Sequence, residues 1–243
     1  MMLFQKGYFF RFILKNKFIL LNLSLLILIF CVVLAKSNGE IKNEVEVYSP
    51  VYKIETEENV YTLTFSLSGK EDEKDISLLS SVLKGMDTKA TFFVTTDWLE
   101  NNSNLLKKLL NDEHNLGLKI NNNKNLSSRD DALYYLATEN DKFLELSTLY
   151  PTYVRIENDK SGKIPELLCA FGQIYVSSSV SWSGTSRDLK GGDIVSVSII
   201  NSDTPFEMAE FIGKYSTNNY KSLSLEELLK LKTENMESQN TEK

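Results

Sequence analysis

Short apolar runs with the period of a strand alternate along this chain with amphipathic stretches of helical period. No other feature limits the accessible folds as much. Val60–Ser66 (VYTLTFS) is apolar at every second position, and Ile76–Leu83 then reads helical. Ala90–Val94 (ATFFV) is a short continuous apolar run, suited to a strand buried on both faces. Asp97 stands as an N-cap for a helix through Leu110, with Trp98, Leu105, Leu106, Leu109 and Leu110 on its apolar side. A strand over His114–Ile120 follows, then a helix from about Ser128 to Leu146 with Leu133, Leu136, Phe143 and Leu144 inward. Thr152–Ile156, Gln173–Ser177 and Asp193–Ile200 are three further strands, with helices around Pro165–Ala170 and Phe206–Tyr215. Tyr220–Leu223 closes the series before a last helix over Leu225–Leu231. β–α units at this spacing predict an α/β fold, either a parallel sheet or an α/β barrel.

The N-terminus has a different character. Residues 1–35 hold four basic side chains (Lys6, Arg11, Lys15, Lys17) and no acidic one, and from Phe18 to Ala35 no residue is ionisable. That run is near the roughly 20 apolar residues that span a bilayer. Its basic flank places residues 1–17 in the cytoplasm and everything after Lys36 outside. An uncleaved signal-anchor over 18–35 is the favoured reading. A cleaved signal peptide ending near Val33 and Ala35 ranks second, and a lipid anchor at Cys31 fits poorly because bulky Phe30 precedes it. Residues 36–47 read as a polar tether, 48–232 as the globular domain, and 233–243 as a polar tail.

Composition then narrows the chemistry. The chain has one histidine, His114, and two cysteines, Cys31 and Cys169, which excludes a zinc site of several His or Cys ligands and any disulfide scaffold. A net charge of −6 argues against general nucleic-acid binding. His114 reads as a structural histidine at a strand start, and Cys169 as a small buried hydrophobe. Glu71–Asp75 reads as a solvated helix start, and Asn121–Asn125 as a polar loop. The Ser-rich stretch Ser177–Ser186 reads first as a loop or strand end around a packed Trp182, and second as a sugar platform.

Several segments together resemble the polysaccharide deacetylase family, carbohydrate esterase family four. They are PVYKI at Pro50–Ile54, the strand ending in Thr64–Phe65–Ser66–Leu67, KATFFVTTDW at Lys89–Trp98, and HNLG at His114–Gly117. Arg155, Trp182, GGDIV at Gly191–Val195 and YKSLSLEELL at Tyr220–Leu229 fall in the family's order, so the resemblance covers about residues 48–230. It is nearest to the membrane-anchored, sporulation-associated branch. The resemblance implies an irregular (β/α) barrel of about seven parallel strands, with functional groups at the carboxyl ends of the strands. It also implies metal-assisted hydrolysis of an N-acetyl group on a glycan, in which an Asp base and a His acid act beside a divalent cation.

Placed on that pattern, the chemical groups are replaced. Ser66 stands at the base, Ser181 at the carboxylate that orients the acid, and Ser198 at the acid itself. Leu67, Lys119 and Asn123 stand at the metal ligands, so the resemblance implies no cofactor here. Arg155 and Trp182 keep the family's identities and are the candidates for ligand contact. The expected protein is a tethered, extracytoplasmic pseudoenzyme that binds wall glycan or a sporulation partner without hydrolysis. Two alternatives stay open: a deacetylase using a non-standard set such as Glu157, Asp159 and Lys119, and a purely structural interaction protein.

Overall fold

The computed structural model describes residues 48–121, 126, 128–157, 162–182, 188–197 and 200–231. The expected membrane anchor over 18–35, the tether over 36–47 and the tail lie outside these residues. Among the described residues, no helix is long and apolar enough to cross a membrane.

In chain order the described elements are β1 (Val60–Ser66), α1 (Glu73–Gly85), β2 (Thr91–Val94), α2 (Thr96–Asn101), α3 (Ser103–Asn111) and β3 (Asn115–Asn121). Then come α4 (Arg129–Ser147), β4 (Tyr153–Glu157), α5 (Ile164–Leu168), β5 (Ile174–Tyr175), β6 (Val180–Trp182), β7 (Asp193–Val197), α6 (Thr204–Thr217) and β8 (Lys221–Ser222). Residues 225–231 form a final helix, α7. The strands make one sheet in the order β5-β4-β3-β2-β1-β7-β6, every pair parallel, with β8 also paired to β1. Tyr61 pairs with Asp193 of β7 on one edge, so β8 occupies the other edge, below β2.

Side-chain reach shows that this sheet is curled into a half-barrel. At roughly 4.8 Å per strand, β4 would lie about 14 Å from β1 and about 19 Å from β7 in a flat sheet. Arg155 of β4 nevertheless donates hydrogen bonds to Thr64 and Ser66 of β1 and to Ser196 of β7. Alternation along each strand gives the barrel two faces. Tyr61, Leu63 and Phe65 pack outward with Phe92, Val94 and Leu118 under the helices, with Tyr61 edge-on to Phe211 of α6. Val60, Phe93, Val176 and Ile194 turn inward and meet Leu225 and Leu228 of α7 in a second apolar cluster.

Two glycines make room for close neighbours. Gly192 has φ +80°, and a Cβ there would overlap the carbonyl of Ile54. The Ile54 N–H donates to the Gly192 carbonyl at 2.9 Å, so the lead-in segment lies directly on this turn. That segment also bridges the sheet's open side. Val51 pairs with Val176 beyond β5, and Lys53 pairs with Asp193 at the start of β7. In β3, a Cβ on Gly117 would come within 2.5 Å of the Phe93 ring, which fills the barrel interior there.

Four expectations are corrected. The helix expected from Asp97 to Leu110 is two helices broken at Asn102, and its N-cap is Thr95, whose hydroxyl accepts from the Trp98 N–H at 3.1 Å. Leu133 and Leu144 of α4 are exposed, and the buried stripe is Ala132, Leu136, Asn140, Phe143 and Ser147. Asn140 belongs there because it exchanges hydrogen bonds with buried Gln173 at 2.9 and 3.4 Å. Cys169 is exposed, in a 3₁₀ turn over Cys169–Phe171 rather than in a helix interior. Finally, Val180–Trp182 within the Ser-rich stretch is a strand, held by its pairing with Val195–Val197.

Candidate functional site

The carboxyl ends of β1, β3 and β4 deliver a set of polar side chains to the barrel mouth. On β1 the inward positions are Thr64 and Ser66, both buried. On β4 the inward positions are Arg155 and Glu157, and on β3 Lys119 lies in register with Arg155. Arg155 is 6% exposed and stacks 4.2 Å above the Phe93 ring. One of its terminal nitrogens donates to Ser66 Oγ and Ser196 Oγ, each at 3.0 Å. The other donates to Thr64 Oγ1 at 2.9 Å and the Ser177 carbonyl at 3.4 Å. Burial pulls this guanidinium down to about 10, against the opposing pull of Glu157, so it keeps its charge at neutral pH.

Lys119 caps this layer. It is 6% exposed, pairs with Glu157 Oε2 at 3.1 Å and donates to the Leu67 carbonyl at 3.3 Å. Leu67 itself is fully buried in the outer apolar cluster. Lys119 also forms part of the floor of a polar cleft of about 640 Å³ over the ends of β1, β2 and β3. The cleft wall comes from the start of α2, where the Thr96 hydroxyl donates to Glu139 at 2.7 Å, and from Tyr135, Glu139 and Lys142 of α4. Burial, then the Glu139 and Asp97 carboxylates, push the Tyr135 phenol up to about 12, so it stays a neutral hydroxyl.

The sequence-derived site residues divide into groups. Ser66, Lys119 and Arg155 converge, with Ser66 Oγ and Lys119 both tied to protein partners. Ser181 is exposed at the edge strand β6, in register with Ser196. Trp182 is in register with Val197 and packs, half-buried, against the outer apolar cluster under the helices. Asn123, Ser198 and Asp159 lie outside the described residues, so of the alternative set only Glu157 and Lys119 are seen to meet. Tyr135, Glu139 and Lys142 were not singled out from the sequence, although their i, i+4, i+7 spacing on one face of α4 is a readable signal.

The divalent cation implied by the resemblance does not fit the residues described. One ligand position holds the apolar Leu67 side chain, and another holds the Lys119 ammonium, whose charge opposes a metal. His114 lies at the other end of β3, buried. One ring nitrogen stands 3.2 Å from the Ser80 carbonyl, and the other accepts the Ala90 N–H at 3.4 Å. These contacts fit a neutral ring protonated at Nε2, and burial lowers its pKa.

Residues 53–155 match the family model of polysaccharide deacetylase. Among curated proteins, none matches the sequence. The fold is similar to that of a CE4 family pseudoenzyme from Bacillus anthracis, BA3943 (TM-score 0.65, 18% identity, 74% of this chain and 69% of that one). A mutant of BA3943 with restored enzymatic activity is similar to the same degree (TM-score 0.65, 20% identity, 74% and 71% covered). PdaA, a family 4 carbohydrate esterase from Bacillus subtilis, gives a TM-score of 0.66 at 19% identity over 77% of this chain and 88% of that one. The matched segment, less than half of the chain, runs from the lead-in into β4, and the parallel half-barrel around it has the fold of the family 4 carbohydrate esterases.

Proposed function

We propose that this protein is a non-hydrolytic member of its fold, tethered outside the membrane by residues 18–35, which captures cell-wall glycan in the cleft above Lys119. The observation that carries the reading is the pairing of Ser66 with Arg155. Where the resemblance calls for a base, a neutral hydroxyl accepts a hydrogen bond from a buried guanidinium at 3.0 Å. Among the described residues no group is seen to take the proton of this hydroxyl, and activation of water needs a base within hydrogen-bond reach. The cleft offers hydroxyl, amide, carboxylate and ammonium groups together, a mixture suited to the alternating donors and acceptors of a sugar. Ligand contact on this reading falls to Lys119, Tyr135 and Lys142 rather than to Trp182, which faces the helices. A sporulation role and a protein partner remain part of the proposal through the resemblance alone.

The test incubates the full chain, in mild detergent, with N-acetylated glycan oligomers and zinc or cobalt, and measures released acetate. No acetate above the protein-free control is expected, while insoluble wall glycan retains the protein. Metal-dependent acetate release that disappears in Glu157→Gln or Lys119→Met would establish the alternative, an active enzyme with a non-standard site.

A further inference from the structure

We infer that the face of the barrel at the amino ends of β4 and β5 is a lipid-contacting surface, which rests on the headgroup layer of a bilayer and turns the barrel mouth away from it. The inference goes beyond the glycan-binding reading and rests only on its tether over 18–35. Tyr48, Leu149 and Tyr150 are 41%, 40% and 46% exposed, and Cys169 and Ala170, next to Phe171, are exposed as well. These residues belong to three separate segments that hydrogen bonds draw together. The Tyr150 hydroxyl donates to the Phe171 carbonyl at 2.7 Å, and the Ile174 N–H donates to the Thr152 carbonyl at 2.8 Å. The Val51 N–H donates to the Tyr175 carbonyl at 2.8 Å, and the parallel bridge of Val51 to Val176 runs Tyr48 back toward the amino end of β5. Of the whole chain 25% is charged, yet residues 48–52, 146–154 and 167–182 hold no Lys, Arg, Asp or Glu. Exposed apolar and tyrosine side chains gathered with no charge among them mark a contact surface.

Lipid is the partner that the chain itself keeps within range. Residues 36–47, between the apolar run and Tyr48, reach about 40 Å at most. A contact made within that reach is intramolecular in its entropy cost, so a small patch of low intrinsic affinity is enough. Tyrosine also suits the headgroup level, where its ring meets acyl chains and its hydroxyl meets water. Leu149 supplies the apolar centre, and the exposed hydroxyls of Thr148 and Thr152 suit the same boundary. These three segments contribute no cation, so the contact needs no anionic lipid and does not weaken with salt. β4 runs from this face to the mouth that holds Arg155 and Glu157, so seating its amino end on lipid directs the cleft outward.

The test uses the full chain with Cys31→Ser in phosphatidylcholine vesicles, with a nitroxide on Cys169. It compares collision of the label with oxygen, which partitions into lipid, and with a water-soluble nickel chelate. A second preparation carries the label at Asp97→Cys on the cleft wall, with both native cysteines changed to Ser. The Cys169 label is expected to favour oxygen and the Asp97 label the nickel chelate, and raised salt should alter neither. Tyr150→Glu should abolish the oxygen preference at Cys169 while the chain still floats with the vesicles. Leu149→Glu replaces it if that variant does not fold by circular dichroism. A Cys169 label as open to the nickel chelate as the Asp97 label overturns the inference and leaves the tether standing. Spin–spin broadening at Cys169 that persists on dilution into excess lipid assigns the face to a second copy of the chain and also overturns it. A chain that stays out of the floated vesicles removes the tether and the inference together.

Discussion

Arg155 is a charge buried among neutral oxygens, and that arrangement has a measurable consequence. Its two terminal nitrogens donate to three hydroxyls and a carbonyl, none of which carries charge. These bonds are already charge-assisted by the guanidinium, and a carboxylate partner would add a Coulomb attraction that a neutral hydroxyl cannot supply. Ser66→Asp is therefore expected to stabilise the fold by about 1–2 kcal/mol in denaturant unfolding, after the cost of burying the carboxylate is deducted. It should not release acetate by itself, because Leu67 and Lys119 remain. Loss of stability on making Ser66→Asp would contradict the role given to Arg155. Histidine supplies a second residue-level prediction. Burial holds His114 neutral and lowers its pKa below the unfolded value, so between those values the unfolded chain binds more protons than the native one. Stability is thus complete above about pH 6.5 and falls as pH drops toward the folded value. Since this is the only histidine in the chain, His114→Gln should flatten the slope of unfolding free energy between about pH 7 and pH 5. The acid limb below pH 4 belongs elsewhere. Burial pushes the Asp112 carboxyl up, but hydrogen bonds from Lys108, Ser80 and Lys84 outweigh it and hold it far below the usual carboxylate range.

At the scale of elements, legibility followed how local the determining forces are. The strands β1, β2 and β7 are buried along their whole length, and their apolar patterns stood out in the sequence. β6 did not stand out, because three residues in a serine-rich run form a strand only through pairing with β7. The break at Asn102 was hidden because apolar spacing continues across it, from Trp98 and Leu99 to Leu105, Leu106 and Leu109. In α4 a buried stripe containing Asn140 and Ser147 defeats a reading that counts only apolar side chains, and so Leu133 and Leu144 were turned inward. The start of the same helix, read at about Ser128, is fixed by a capping box with reciprocal bonds between Ser128 and Asp131. Gly192 gives the prediction at this scale. Its positive φ and the overlap of any Cβ with the Ile54 carbonyl mean that Gly192→Ala must displace the lead-in segment. A loss of more than about 2 kcal/mol in unfolding free energy is expected, with a smaller effect at Gly172, where a Cβ meets nothing.

For the molecule as a whole, the curl of the sheet is what assembles the candidate site. Ser66, Arg155 and Ser196 are 89 and 41 residues from one another in sequence and meet only because β4 bends round to β1 and β7. The sequence pattern marked Ser66, Lys119 and Arg155 as positions of interest, but it could not show that Arg155 would be committed to internal hydroxyls or that Lys119 would find Glu157. Those facts depend on closure. So does the cleft wall from α4, which reaches the site by packing on α2 through Thr96 and Glu139. Closure also depends on the segment from Val51 to Ile54, whose backbone bonds to Tyr175, Ser177 and Gly192 span the sheet's open side. Tension applied from the N-terminal side of the domain would reach these bonds before any other part of the barrel. Val51 lies parallel to its partner, so such a pull loads its bonds together in shear rather than opening them one at a time. The lead-in is therefore a mechanical clasp as well as a seam, and the domain's resistance to being pulled apart is set where the barrel begins.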